Sequence, residues 1–263
     1  MTRGAGGVLA ASASRHYHGT PMARPDARTQ AQIAAFTEEI KAALGDRLLS
    51  LVLHGSAAGE DWVARRSDVN TAIVVPRVTL EILETLAPVV ARWRGRGFAS
   101  PVLVDPEYLA RATDTFPIEL DDIRRQHRLL AGRDVFTAIR IDPAALRREC
   151  EHEARGKLLR LRALFLDVAG RPAAIERLMV ESLKSFLVLL RHLLGLRGVE
   201  ADPDYQAVLA AGEDLVGALP TMRRLLEHRS GTTPLAPRAL RAEFGAYLGE
   251  IERIVAAVDR LDG

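Results

Sequence analysis

The chain has 263 residues, enough for one large domain or two small ones, and 48% of them are apolar, enough for a real core. Its net charge of +2 creates no overall field that would demand a nucleic acid or a membrane surface as partner. The basic side chains are 33 arginines against three lysines (Lys41, Lys157 and Lys184), which in an Ala-, Leu- and Val-rich chain points to a GC-rich genome rather than to phosphate binding. Cys150 is the only cysteine, so neither an internal disulfide nor a cysteine zinc site can form, and a reducing cytoplasmic setting is expected. No run reaches the ~18 apolar residues of a membrane span. The most apolar stretch, "FLVLLRHLLGL" at 186–196, is interrupted by Arg191 and His192 and reads as a buried helix.

Residues 1–29 are rich in Gly, Ala and Ser and lack a hydrophobic period, which predicts a disordered leader or an over-long start, with Met22 as a second possible first residue. From Gln30 the apolar positions Ile33, Phe36, Ile40, Ala43 and Leu44 fall on one helical face, and Gly45-Asp46 ends it. "RLLSLVLHG" (47–55) predicts a short strand buried on both faces. A charged loop, 57–67, leads to a second strand, "VNTAIVV" (69–75). An amphipathic helix follows at 80–97, then a third strand, "SPVLVD" (100–105).

From about Asp142 the pattern changes, with no convincing strand. Helices are expected at 143–168, with Pro143 in the first turn, and at 173–196, 203–217, 220–229 and 238–261. Short loops between them imply an antiparallel bundle. The expected class is therefore α+β: a leader at 1–29, a small mixed-sheet domain at 30–141, and an all-helical bundle at 142–263.

The chemistry concentrates in "HGSAAGEDWVARRSDVNTAIVV", 54–75. Gly55-Ser56 closes one strand and opens a turn. Such a turn can offer free N–H groups to a phosphate, the glycine allowing close approach and the serine adding a hydroxyl. Asp68 and Asn70 lie two apart at the start of the next strand, so both face one side and can meet one metal. Plain readings stand beside these. Gly-Ser is a common turn, Asp68 suits a loop end, His54 suits a satisfied strand histidine, and Arg65-Arg66 suit a solvated loop.

At these residues the chain resembles the nucleotidyltransferase superfamily of the DNA polymerase β type. That family shows a Gly-Ser pair, a loop of about this length, then Asp-x-Asp or Asp-x-Glu between apolar residues, with a third carboxylate on a later strand. The resemblance spans roughly residues 31–140. "FPIELDDIRRQHRLLAGRDVF" (116–136) is similar to the segment after the sheet in bacterial stand-alone nucleotidyltransferases, and the helical half is similar to their C-terminal domains. It implies Gly55, Ser56 and Arg66 on the phosphates of a nucleoside triphosphate. It also implies Asp68, Asn70 and Asp105 around Mg²⁺, with Asp68 and Asn70 as the catalytic pair.

The chain departs from the family at Asn70. An amide supplies one carbonyl oxygen and no charge, so it is a poor ligand for a hard dication. The third carboxylate has only Asp105, at the far end of its strand, or Glu107 or Glu119 as candidates. The expected function is a nucleotidyltransferase-like protein, weakened or inactive, that binds nucleotide or phosphate at Gly55-Ser56. Two alternatives are an active Mg²⁺-dependent transferase adenylylating a small-molecule or protein hydroxyl, and a non-catalytic antitoxin-like or sensor subunit. The bundle would line an acceptor pocket or form a homodimer face. The Arg-x4–6-His spacings at Arg147/His152 and Arg223/His228 arise by chance in so arginine-rich a chain and carry no ribonuclease signal.

Overall fold

The computed structural model describes residues 24–59, 62, 67–200 and 204–261. The expected leader at 1–29 falls mostly outside them.

Helix α1 (Ala27–Leu44) begins three residues before the expected Gln30, because Asp26 caps it by accepting from the Thr29 amide at 2.7 Å. Its buried stripe is Ile33, Phe36, Ile40 and Leu44. Strands β1 (Ser50–His54), β2 (Asn70–Val74) and β3 (Val102–Val104) are the three expected strands, each somewhat shorter than its apolar run. Helix α2 (Leu80–Arg94) joins β2 to β3 as a crossover and packs on α1. Phe36, Trp93 and Phe98 pack there ring to ring, Phe36 meeting Trp93 edge-on at 5.7 Å.

Three elements were not legible in the sequence: α3 (Pro106–Ala112), α4 (Pro117–Arg125) and β4 (His127–Gly132). β4 shows no alternation, with Leu129 exposed, and it becomes a strand only because β1 has an open edge. It ends at Gly132, at φ 75°, where a Cβ would lie 2.3 Å from the Leu49 carbonyl oxygen.

The sheet order is β3-β2-β1-β4. β1 is antiparallel to both neighbours, and β2 and β3 are parallel, so the sheet is mixed as expected. Alternation sends Leu51, Leu53 and Ile73 to the α1/α2 side. Val52, Ala72 and Val74 go to the opposite side, against α3, α4 and Phe136.

The second half is helical: α5 (Pro143–Val168), α6 (Pro172–Leu196), α7 (Tyr205–Val216), α8 (Pro220–Arg229) and α9 (Leu240–Asp259). α6 is the central element, contacting α5, α7, α8 and α9, and its run from Phe186 to Leu194 is almost wholly buried. Ile118 of α4 joins the bundle's core, and Ile141 packs against both that core and the one beneath the sheet. Among the described residues no helix is long and apolar enough to cross a membrane.

Candidate functional site

β1 runs into a single 3-10 turn, Gly55–Ala57, with Gly55 at φ 68°. Only glycine adopts that angle without strain. The turn uses the Ala58 and Gly59 amides internally, at 2.9 Å to Gly55 O and 3.3 Å to Ser56 O. Its first amides, those of Ser56 and Ala57, have no partner within the turn. Ser56 is buried, and the Gln126 side chain at the end of α4 lies directly against Gly59.

Register sets the rest. His54 stands opposite Asn70 on one side and His127 on the other. Directly opposed residues share a face, so His127, His54 and Asn70 form a row across one end of the sheet. Asp68, two residues earlier, is exposed at the rim of that row. The row is on the α3/α4 side, toward the helical half, with the Gly55 turn against Asn70 and the Asp68 backbone beside it.

Asn70 is partly committed. Its Nδ2 donates to the Asp68 carbonyl at 3.3 Å and lies 3.3 Å from where a Gly55 Cβ would sit. The amide braces the strand start and touches the turn that glycine leaves open.

Asp105 does not join this group. β2 and β3 are parallel with Ala72 beside Val102, which puts Asp105 beside Val75. It therefore lies five residues, about 16 Å, beyond the level of Asn70. There its carboxylate caps α3 through Tyr108 N at 2.8 Å and also accepts from Val78 N at 3.3 Å. Those bonds hold its pKa below the usual carboxylate range. The third-ligand expectation for Asp105 is overturned by strand polarity. Glu107, in the first turn of α3, sits at the same wrong end. Arg65 and Arg66 lie outside the described residues.

Among the described residues, the donor set at this end of the sheet does not fit a resident dication. Asp68 is one carboxylate, Asn70 is an engaged amide, and β3 offers only Val102, Leu103 and Val104. No three Asp, Glu, His or Cys side chains among the described residues converge on a metal-sized site.

His54 is mostly buried, and that burial pushes its pKa down to about 4 against the pull of Asp122. It is therefore neutral at pH 7. His127 is held by Ile123 O at 2.7 Å and Asp134 at 3.0 Å, which marks it as a brace for the β4 end.

Behind the row is a charge cluster that sequence reasoning missed. Burial would raise the Asp121 pKa, but His192, Arg124 and Arg125 outweigh it and hold that carboxyl far below its usual range. Arg124 and Arg125 approach Asp121 at 2.5 and 2.6 Å. His192, on α6, lies 3.3 Å from Asp121 and 2.9 Å from Asp122, and Arg191 reaches Asp122 at 2.5 Å. Burial would lower the His192 pKa, but the two carboxylates win and raise it. The available signals were "LDDIRR", with Asp–Arg pairs at helical i,i+3 and i,i+4 spacing, and the Arg191-His192 break in an apolar run.

The arrangement is a mixed sheet with a Gly-Ser turn and an acidic strand start facing a helical bundle. A similar solved structure is that of a spectinomycin adenyltransferase, AAD(9), from Enterococcus faecialis, determined with ATP and spectinomycin. The two are 13% identical and superpose with a TM-score of 0.54, over 88% of this chain and 99% of the other. At that identity the likeness carries the fold alone, and it extends through the helical half. No protein-family model matches the chain, and no curated protein matches it.

Proposed function

We propose that this chain is a nucleotide-binding member of the nucleotidyltransferase fold whose transfer chemistry is weakened or lost. One domain, 30–141, presents the Gly55-Ser56 turn to the triphosphate, and the bundle at 142–263 covers it. The observation that carries the reading is the row at the sheet end. The phosphate-facing turn is intact, while beside it the second carboxylate position holds Asn70, with its amide turned toward Asp68 and Gly55. Transfer through two metals needs clustered carboxylates to hold the ions that stabilise the attacking and leaving oxygens, and here Asn70 is an amide and Asp105 caps a helix at the other end of the sheet.

ATP titrated by calorimetry is the direct test. Binding is expected with or without Mg²⁺, to within a few-fold, and Gly55→Ala is expected to weaken it, because alanine is strained at φ 68° and its Cβ meets Asn70. Magnesium-dependent transfer of labelled nucleotide by the wild type, at ordinary enzymatic turnover, would show the weakened reading to be wrong.

The second reading, an active adenylyltransferase acting on a hydroxyl, is favoured by one fact: the solved neighbour is an adenyltransferase determined with ATP and its small-molecule substrate, and it matches both halves of this chain. Asn70→Asp separates the two. A lapsed site should gain Mg²⁺-dependent ATP binding of about tenfold or more, since a restored carboxylate adds charge and an oxygen ligand. An already active site should change little.

A further inference from the structure

A cavity of about 440 Å³ lies where α4, the chain entering α5, and the end of α6 meet. That is within the roughly 300–1,000 Å³ typical of small-molecule sites. Its polar lining is one-sided: Arg124, Arg125 and Arg140 against the single carboxylate of Asp121. Ile139, Ile141, Leu146 and Leu196 supply an apolar wall.

The two helical arginines are fixed in place. Arg124 puts Nε (3.0 Å) and Nη2 (2.5 Å) on one Asp121 oxygen, and Arg125 puts Nε (2.6 Å) on the other. Gly195 makes room for Arg125, whose Nη2 lies 3.0 Å from where a Cβ would stand. Each guanidinium has five N–H donors, so both keep donors to spare. Arg140 has no acidic partner among the described residues and is exposed at the mouth. Asp121 is shared further with His192, itself buried. Asp121 thus pairs with Arg124 and Arg125 and shares His192 with Asp122, and with Arg140 the cavity is lined by three guanidinium groups against one carboxylate.

This is not the Gly-Ser site. On α4, Asp122 and Gln126 face His54 and Gly59. Asp121, Arg124 and Arg125 lie on a different face of the helix and line the cavity.

We infer that this cavity is a second ligand site, for a small molecule carrying a phosphate group. Fixed guanidinium forks match phosphate oxygens in shape and charge, and the apolar wall accommodates the body of the molecule. A phosphate dianion offsets the surplus that Asp121 leaves. The phosphate could come from a nucleotide or from a non-nucleotide ester.

The test uses the full chain without Mg²⁺, with pyrophosphate as probe, followed by calorimetry and by thermal melting at constant ionic strength. Pyrophosphate is expected to bind and to raise the melting temperature above a chloride control. Arg140→Ala, which removes an exposed and unpaired side chain, should weaken that binding about tenfold or more. Gly55→Ala should leave the Arg140-dependent part of that binding unchanged. AMP compared with glycerol phosphate then separates the sources: tighter AMP binding lost in Arg140→Ala assigns a nucleotide, and equal binding lost there assigns a phosphate ester in general. The inference is overturned if pyrophosphate and chloride act alike, or if binding survives Arg140→Ala but is lost in Gly55→Ala. In that last case the anion sits at the turn, and the proposed function stands without the second site. If Gly55→Ala keeps ATP binding intact while Arg140→Ala loses pyrophosphate, the second site stands and the turn reading fails.

Discussion

Asp121→Asn is expected to cost about 3–5 kcal/mol of unfolding free energy, measured by urea denaturation. The substitution keeps the shape and removes the charge. Asp121 is 1% exposed, and its two oxygens hold Arg124, Arg125 and His192. Without the carboxylate, three cationic groups are left clustered at the join between α4 and α6. Removing an exposed acid instead, as in Glu38→Gln on α1, should shift stability by no more than about 0.5 kcal/mol, because its pair with Lys41 is solvated.

The same cluster sets a pH profile. Asp121 and Asp122 have depressed pKa values, so their contribution is full above the ordinary Asp value of 3.8 and is lost as pH falls below it. His192 has a raised pKa, so its contribution is full below 6.5 and is lost as pH rises through its higher folded value. Stability from the cluster is therefore greatest between these limits. His54 acts in the opposite sense: it is buried neutral, and its contribution grows as pH rises from about 4 to 6.5. Thermal melts across pH should show His192→Gln losing the alkaline decline, with the rise from pH 4 to 6.5 retained.

Glu250→Ala is the second large effect expected, at about 3 kcal/mol. α8 begins at Pro220, and the residue before it, Leu219, has no side chain able to cap. Its first amides are instead met from another helix. The buried Glu250 of α9 accepts from Thr221 N at 2.7 Å and Met222 N at 2.8 Å. Removing it leaves two buried N–H groups without partners, each costing about 1–3 kcal/mol. Glu250→Gln should cost less, since it keeps one acceptor oxygen. Glu250→Asp should fall between them, because the shorter side chain reaches one amide at most.

The helical half was legible almost element by element. Proline at the first turn of α5, α6 and α8 and the apolar period of α6 are local signals, and helices form from local contacts. β4 was not legible, because an edge strand with an exposed Leu129 and no alternation is made by its neighbour rather than by its own pattern. Asp105 shows the same limit at the site. Its distance along the chain suited a third ligand, but parallel pairing with β2 carried it to the other end of the sheet and made it a helix cap.

By itself the sequence determined the class of fold and set the Gly-Ser turn beside the Asn70 end of the row that crosses one end of the sheet. Gly55 and Ser56 follow β1 directly, and Asp68 and Asn70 lead into β2, which pairs with β1, so spacing along the chain suffices to bring the turn and the strand start to one end of the sheet. Only the tertiary structure decided what stands behind that row. Asp122 and Arg191 are 69 positions apart. No local period relates them, and their meeting follows from how α4 docks on α6. Whether a charged side chain is solvated or buried against three others is a property of that docking. The electrostatics of the junction, and the second cavity it forms, were therefore beyond the reach of the chain's pattern alone.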